Sequence, residues 1–321
     1  MSFIAFAKAG ASAVPGAGRL PFLPGGGGEI PARELRSEPA AADLDALAAY
    51  ARVCGFTLRG TVPATWPHIE AFGLHMALIT DGGFPFGPLG LVHIGNSITQ
   101  HRPIGTGETV GVSARTTPLE PHPKGRAFSL ISEAHVGEEL VWEERSTMLR
   151  RGGGGEARDG GEDPGRNRPS GSGKQSREPA DGKSATENAE TRRAGAPPVA
   201  WWKLPGDLGA RYAAVSGDSN PIHMHALSAK AFGFPRAIAH GMWTKARCLA
   251  ALEPALGDSF TVEVSFGKPI LLPSRVGFAV SQPATDTVNA AAASAGAGTD
   301  PIEFAVLPSK GGSAHLEGTI R

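Results

Sequence analysis

Asp218 and His223 are the residues of this sequence best suited to acid/base chemistry. They stand five positions apart in the segment Y-A-A-V-S-G-D-S-N-P-I-H, which covers residues 212–223. A carboxylate and an imidazole held close together can bind one water molecule and move its protons. Turn-forming residues surround the pair and predict that a loop presents and braces both side chains; they are Gly217, Asn220 and Pro221.

The fragment G-D-S-N-P is also a common sequence for an ordinary surface turn, because Gly, Asp, Asn and Pro are the usual turn formers. Three neighbouring features favour a catalytic loop instead. An aromatic residue precedes the turn, a histidine follows it, and the stretch A-H-G-M lies downstream at residues 239–242. The segment therefore predicts general acid/base catalysis on water.

The pair belongs to a longer pattern of ten residues: Tyr212, Val215, Ser216, Gly217, Asp218, Asn220, Pro221, Ile222, His223 and Ala229. The pattern resembles the signature of the MaoC-like, or (R)-specific enoyl-CoA hydratase 2, family. The resemblance implies a hot-dog fold, in which an antiparallel sheet wraps round one long helix. It also implies reversible hydration of trans-2-enoyl thioesters to (3R)-3-hydroxyacyl thioesters, with dehydration as the reverse reaction.

The resemblance further implies that the backbone N–H of Gly241, in the A-H-G-M stretch, supplies the oxyanion contact. Physical chemistry agrees with this role if a helix begins there, since a helix N-terminus offers free N–H groups and a favourable dipole. Lys245 and Arg247 follow on the same expected helix. They could contact a CoA phosphate or form a solvated helix face.

The histidines near this segment raise the question of a metal site. His223 and His225 form an H-x-H pattern, and His240 lies downstream. No carboxylate or thiolate with ligand-like spacing completes a zinc or transition-metal set. We therefore expect no metal and no cofactor, and we expect His240 to be a packed, hydrogen-bonded core histidine.

Composition places the chain in the globular class without a global charge. The 321 residues suffice for two domains, and 31 basic residues balance 31 acidic ones, which disfavours nucleic acid and anionic membrane surfaces as partners. The two cysteines, Cys54 and Cys248, lie far apart and predict neither a disulfide framework nor a zinc site. The sequence shows no signal-peptide pattern and no apolar run of about 18 residues. A cytoplasmic enzyme is expected.

The chain divides into four segments. Residues 1–40 are rich in Gly, Pro and Ala and predict a flexible arm. Residues 152–198 contain no Val, Ile, Leu, Met, Phe, Trp, Tyr or Cys, and they predict a disordered linker. The two remaining segments, 41–151 and 199–321, each predict a domain, with a mobile loop at 282–298 in the second.

In both domains the sequence pattern predicts helices followed by strands, and this order favours an α+β layer. Periodicity predicts helices near residues 41–54, 67–80, 208–215 and from 241 onward. Strands are expected at 89–100, 108–116, 126–134, 139–149, 260–266, 275–280, 302–307 and 314–320.

The second domain repeats the first. Y-A-R-V-C-G-F at residues 50–56 parallels Y-A-A-V-S-G-D at 212–218, and H-R-P-I at 101–104 parallels G-K-P-I at 267–270. We infer a tandem duplication and a double hot-dog fold whose two sheets join edge to edge. Phe56 stands where Asp218 stands in the second copy. The first copy is therefore expected to lack the acid/base pair and to serve as an acyl cradle or as a scaffold.

This layout resembles the tandem MaoC-type (3R)-hydroxyacyl-thioester dehydratases. It implies a hydro-lyase whose partner is an acyl-CoA or acyl-carrier-protein thioester, with a homodimer as an option left open. The alternatives are a non-catalytic acyl-thioester binding or assembly module and, more weakly, a hot-dog thioesterase. The presence of both Asp218 and His223 favours the enzyme.

A shorter Gly/Ser tether in place of residues 152–198 is expected to leave turnover nearly unchanged, provided that it still spans the two domains. The reason is that the segment carries no side chain able to form a core. Turnover of an enoyl thioester and the thermal unfolding midpoint would be measured for both chains. A tethered chain that fails to fold would contradict the two-domain interpretation.

Overall fold

The first half of the chain places its helices before a series of long strands. The structure, a computed structural model, describes residues 28–88, 90–151, 197–281 and 301–321. The elements of the first half are β1 (Glu34–Arg36), α1 (Leu44–Cys54), α2 (Trp66–Ile79), β2 (Leu91–Gln100), β3 (Gly111–Thr116), β4 (Glu120–His122), β5 (Gly125–Val136) and β6 (Glu139–Arg151).

The second half follows the same plan. Its elements are β7 (Ala200–Leu204), α3 (Leu208–Ser216), α4 (Pro221–Met224), α5 (Ala226–Ala231), α6 (Gly241–Leu252), a 3₁₀ turn (Glu253–Ala255), β8 (Phe260–Phe266), β9 (Ser274–Ser281), β10 (Ile302–Pro308) and β11 (Leu316–Ile320). Each predicted helix and strand is confirmed, with ends shifted by a few residues. Three short strands, β1, β4 and β7, were not predicted.

The predicted flexible arm, residues 1–40, extends too far. Strand β1 pairs with β3, with Glu34 opposite Arg115, and Ile30 is buried. This pairing provides partners for backbone groups of the arm, which local Gly/Pro-rich composition does not reveal. Residues 1–27 of the arm, the predicted linker apart from its last two residues, and the predicted loop 282–298 lie outside the described residues.

The strands join in one antiparallel sheet with the order β1-β3-β5-β6-β2-β8-β11-β10-β9-β7, while β4 pairs with β5. The order has the same plan from both edges: β1 and β7 form the edges, and the strands that follow the long helices α2 and α6 meet in the middle. That central pairing runs from Gly95 opposite Ser265 to Gln100 opposite Phe260. The tandem repeat and the α+β double hot-dog fold are thereby confirmed.

The repeat extends to the helix ends. Helix α1 begins at an Asp43 cap, whose carboxylate accepts hydrogen bonds from the N–H groups of Asp45 and Ala46. It ends at Gly55 with φ 85°, and α3 ends at Gly217 with φ 75°. A left-handed residue at this position suits glycine and closes the last helical turn. Two equivalent helices therefore lead to Phe56 in one copy and Asp218 in the other.

The two copies differ in the face of the sheet that lies under the long helix. Beneath α6 this face is apolar and fully buried, with Val262, Val264, Phe304, Val306, Leu316 and Ile320 in one cluster. Beneath α2 it carries buried polar side chains, among them Asn96, Ser132, Glu144 and Ser146. Because both copies have the same architecture, the fold itself does not require polar residues at this face.

A buried lysine connects the two copies. Lys245 of α6 is fully buried, and its ammonium donates hydrogen bonds to the side-chain oxygen of Asn96 and to the carbonyl oxygens of Asn96 (3.4 Å) and Val262 (3.2 Å). Burial lowers the pKa of Lys245 to about 7. The second copy's helix is thus tied to the first copy's central strand.

None of the described helices combines the length and the apolar character that a membrane span needs.

Replacement of Lys245 by Met is expected to lower the free energy of unfolding by roughly 1–3 kcal/mol, because buried oxygens of Asn96 and Val262 lose their donor. Urea unfolding would measure the change. Lys230→Met, at an exposed position on α5, serves as the control and should have little effect. A Lys245→Met chain as stable as the parent would show that these hydrogen bonds contribute nothing net.

Candidate active site

Asp218 takes its position from the end of α3. The left-handed Gly217 turns the chain sharply, and the N–H of Asp218 then donates to the hydroxyl of Ser216 at 3.2 Å. One carboxylate oxygen of Asp218 accepts a hydrogen bond from the N–H of Asn220 at 3.2 Å. The side chain keeps 28% of its surface accessible. The carboxylate is therefore held by its own loop while its other oxygen is available to a ligand.

His223 lies on the short helix α4 rather than on a loop. Asn220 caps this helix by accepting a hydrogen bond from the N–H of Ile222 at 3.3 Å, and Pro221 fills its first position. Both residues thus define the start of this helix, and their role as supports of a catalytic loop stays a prediction. Nδ1 of His223 lies 2.8 Å from the carbonyl oxygen of Ile238. Since a carbonyl can only accept, Nδ1 carries the proton and Nε2 carries a lone pair.

Gly209 was not recognised from the sequence, although it brings α3 close to α4. A β-carbon at this position would overlap the carbonyl oxygen of His223. Only glycine allows the two helices to approach this closely. A glycine in the first turn of an expected helix was the available signal.

His240 stacks on the imidazole of His223, with ring centroids 3.6 Å apart and planes at 25°. Its Nε2 donates to the backbone carbonyl of Asp218 at 3.0 Å and lies 3.7 Å from the carboxylate. The side chain is 2% exposed, and its Nδ1 is buried without a hydrogen-bond partner in the described part of the chain. The predicted packed histidine is thus confirmed, and it also orients both candidate catalytic groups.

Burial and mutual contact set the charges of this cluster. Burial raises the pKa of Asp218, but His240, His223 and the N–H of Asn220 outweigh it and bring the pKa below the usual 3.8. Burial lowers the pKa of His223 below 6.5, although the carboxylate of Asp218 opposes this shift. Burial lowers the pKa of His240 to about 3. At neutral pH the site therefore holds an ionised carboxylate beside neutral imidazoles.

Gly241 is the first residue of α6, directly after the His240 cap. The first N–H groups of a helix have no intrahelical partner and point out along the helix axis. Gly241 lines the same cavity as Asp218 and His223. The structure thus brings the three residues together, with a helix N-terminus available for developing negative charge.

The cavity has a volume of about 450 Å³ and reaches into the first copy. Its wall there includes Phe72, Met76 and Ile79 of α2. A β-carbon built on Gly217 would lie 3.7 Å from Cδ1 of Phe72, so this ring borders the catalytic loop. The first copy therefore forms a large part of the cavity wall.

Phe56 does not line this cavity. Its ring stacks on Tyr50 at 6.2 Å in the core between the copies. Phe56 itself therefore does not contribute to the cavity wall, which in the first copy is built by α2 and the sheet beneath it. Sequence equivalence to Asp218 located the loop but not the direction of its side chain.

Sequence reasoning also missed a buried polar network in the first copy. His68 Nδ1 lies 2.8 and 2.9 Å from the two oxygens of Glu144, which also accepts from Asn96 Nδ2 at 2.6 Å. Burial raises the pKa of Glu144, but His68 outweighs it and brings the pKa to about 2. His75 Nε2 lies 2.6 Å from Ser132 Oγ. The spacing of two histidines seven residues apart on α2 was the available signal.

The structure corrects the remaining interpretations of nearby basic residues. Lys245 cannot meet a CoA phosphate or form a solvated face, because it is fully buried. The guanidinium of Arg247 lies 4.8 Å from the ring centroid of Trp202, a cation–π contact. His225 is exposed and separate from the site.

In the part of the chain that the structure describes, two groups of side chains have ligand atoms within 4.8 Å of one another, a distance compatible with a metal ion: Asp218, His223 and His240, and His68, His75 and Glu144. The first group includes the carboxylate that spacing alone did not supply. In both groups hydrogen bonds to protein already engage ring nitrogens, such as His223 Nδ1 and His68 Nδ1. The expectation that the site works without a metal stays a prediction.

Comparison with known proteins agrees with this geometry. Residues 190–295 match a family model described as a MaoC like domain. Over 266 residues the chain is 35% identical to a Mycobacterium tuberculosis protein named 3-hydroxyacyl-thioester dehydratase X, covering 83% of this chain and 86% of that protein. This chain belongs to the MaoC-like family. Its predicted family membership is thus confirmed.

Solved structures of similar proteins share the architecture. The crystal structure of HtdX from Mycobacterium tuberculosis superposes with a TM-score of 0.68 at 30% identity, covering 90% of this chain and 99% of that one. A MaoC-like dehydratase from Phytophthora capsici gives 0.63 at 17% identity, with 91% and 95% covered. A further Mycobacterium tuberculosis protein, described as a double hotdog fold, gives 0.50 at 13%, with 92% and 98% covered. The last two support the fold alone.

The buried histidines of this MaoC-like protein predict acid lability. Burial lowers the pKa of His75 and His240 to about 3 and that of His93 to about 4. Between pH 6.5 and 4 the unfolded chain therefore binds protons that the folded chain does not. The unfolding free energy should therefore decrease as the pH is lowered through this range, by up to about 1.4 kcal/mol per pH unit for each histidine.

Urea unfolding at pH 7.5, 6 and 5 would measure this slope. His240→Phe retains a stacked ring but removes one titrating group, so its slope should be shallower. Lys230→Gln, at an exposed position on α5, is the control and should keep the parent slope, because no imidazole is removed. A stability that is flat from pH 7.5 to 5 would contradict the assignment of neutral buried imidazoles.

Proposed function

We propose that this chain catalyses the reversible hydration of trans-2-enoyl thioesters to (3R)-3-hydroxyacyl thioesters, with Asp218 and His223 as its acid/base groups and the N–H of Gly241 as its oxyanion donor. The observation that carries the proposal is the convergence of these three residues on one cavity. The name of the 35% identical relative, a 3-hydroxyacyl-thioester dehydratase, supports the same reaction class.

In this mechanism the reacting water molecule binds between the side chains of Asp218 and His223. A ring nitrogen of His223 and a carboxylate oxygen of Asp218 lie within 4.8 Å of each other, a separation that one water bridges. Nε2 of His223 has the lone pair that accepts a proton from this water, while the carboxylate accepts its second O–H and orients the oxygen. The oxygen then adds to C3 of the enoyl group.

Negative charge that develops on the thioester oxygen is stabilised at the start of α6. The N–H of Gly241 donates to this oxygen, and the helix dipole adds to the effect. The proton taken from water returns to C2 from the same dyad, so hydration is complete without any other reactant. In the dehydration direction the same groups act in reverse, with His223 returning the proton to the departing oxygen.

The two copies have separate roles in this proposal. The second domain, residues 199–321, provides the reacting groups, and the first domain provides the acyl cradle through α2 and its sheet. The partner is an acyl thioester. Its carrier, CoA or a carrier protein, the formation of a homodimer and a cytoplasmic location stay predictions.

Crotonyl-CoA provides the direct test. Addition of the chain should decrease the absorbance of the conjugated enoyl group as water adds, and chiral analysis should find the (3R) alcohol. Unchanged absorbance across a range of enoyl-CoA lengths would favour a non-catalytic binding module. An (S) product would overturn the proposed placement of water and proton.

Asp218→Asn and His223→Ala are each expected to lower turnover by about 100- to 10,000-fold with substrate binding largely intact, because each removes one of the two groups that hold the water. Steady-state and single-turnover kinetics would separate the two effects. The double variant should be little worse than either single one, since the pair acts as a unit. His225→Ala is the matched control. Near-parent turnover in both single variants would contradict the dyad.

A further inference from the structure

The acyl cradle contains a group of polar side chains that the proposed reaction does not use. His68, His75, His93 and Ser146 all line the cavity on the side of the first copy. We refer to these four residues as the polar belt. The equivalent face beneath α6 is apolar, so the belt is not a requirement of the fold.

Helix α2 sets the order of features along the cavity. His68, Phe72, His75, Met76 and Ile79 all line it, and they span about 16 Å at 1.5 Å per residue. Phe72 borders Gly217 of the catalytic loop. His68, which acts electrostatically on Asp218, and Phe72 therefore lie near the reaction centre, His75 follows along the helix, and Met76 and Ile79 lie at the far end.

The sheet opposite α2 repeats this order. Glu144, Ser146 and Met148 alternate along β6 and so point to one face. Glu144 binds His68, while Met148 lines the cavity together with Leu130 of β5. A chain that enters from the reaction centre thus meets the polar belt first and an apolar pocket afterwards.

Three polar atoms of the belt are left over after the protein's own hydrogen bonds are made. In the described part of the chain Nε2 of His68 has no partner, since only Nδ1 contacts Glu144. Ser146 Oγ accepts from Asn96 Nδ2 at 2.9 Å but donates to no described residue. Nε2 of His93 is buried without a partner. His68 Nε2 and the Ser146 hydroxyl therefore offer unused hydrogen-bonding capacity to an occupant of the cavity, and Nε2 of His93 lies buried in the wall beside them.

A plain hydrocarbon chain does not suit this wall. Buried polar atoms without partners each cost free energy, and contact with methylene groups would leave the belt atoms unsatisfied while excluding water. An oxygen substituent on the chain would satisfy them. Burial lowers the pKa of His75 to about 3 and that of His93 to about 4, so both imidazoles are neutral and each has one N–H and one lone-pair nitrogen, of which Nε2 of His75 is already engaged by Ser132.

We propose that the polar belt is a binding subsite for an oxygen substituent, a hydroxyl or a carbonyl, carried by the acyl chain beyond the reacting C2=C3 bond. The substrate class is then an oxygenated trans-2-enoyl thioester with an apolar tail, rather than an unsubstituted fatty acyl thioester. This inference rests on the proposed hydration reaction. Asn96, whose side-chain oxygen accepts from Lys245, supports the subsite from behind by donating to Glu144, which orients His68.

The test compares trans-2-enoyl-CoA substrates of equal length that are unsubstituted, hydroxylated or oxo-substituted at successive positions past C4. One well-placed neutral hydrogen bond should raise kcat/KM about five- to tenfold for the best-placed oxygen over the unsubstituted chain. The hydroxyl and oxo series distinguish an acceptor role of the substituent from a combined donor and acceptor role.

Ser146→Ala and His93→Phe test the residues themselves. The first removes one hydroxyl, and the second keeps an aromatic ring against Phe266, whose centroid lies 4.8 Å from that of His93. Each variant should reduce the ratio of kcat/KM values, oxygenated over unsubstituted, toward one. Ser129→Ala is the matched control, because Ser129 is buried on β5 but does not line the cavity, and it should leave the ratio unchanged.

The outcomes separate the two levels of inference. Turnover of the unsubstituted chain equal to or better than that of each oxygenated chain would overturn the subsite and leave the hydratase intact. A preference that survives in both variants would also overturn it. No turnover of any chain would overturn the proposed reaction and, with it, the subsite.

Discussion

The antiparallel pairing of β2 with β8 is the contact on which the rest of the structure depends. A single hot-dog copy would expose this central strand as an unpaired edge, and joining two copies removes both edges at once. The pairing also fixes how the helices of one copy face the loops of the other. It is the reason that Phe72 of the first copy borders Gly217 of the second, and that one cavity is shared between them.

The two copies use the same backbone for different chemistry. After equivalent left-handed glycines, one places Phe56 in the core between the copies and the other directs Asp218 to the cavity. For the sheet face beneath the long helix the distribution is reversed: this face is apolar in the second copy and polar in the first. Glu144 and its partners are stable there because hydrogen bonds compensate their burial. Charge and hydrogen-bonding capacity are thus arranged on both sides of the cavity.

Much of the fold followed from local sequence patterns. The apolar periodicity of α1, α2 and α6 and the alternation of β8 are properties of short segments. They can therefore be recognised without knowing which element each segment packs against. Strand β1 was missed for the opposite reason. Its residues carry no strand pattern, and they become a strand only because β3 presents an edge to them. Short edge strands of this kind depend on pairing and not on propensity.

The sequence by itself determined the candidate dyad, since Asp218, the turn residues and His223 lie within one short segment whose backbone geometry is local. It also determined the division between a copy with the dyad and a copy without it. Only the tertiary structure decided that His240 stacks on His223, that Lys245 is buried between the copies, and that three histidines of the first copy line the same cavity. These contacts join residues far apart in the chain, and their energies come from burial and from hydrogen-bond partners that spacing does not encode.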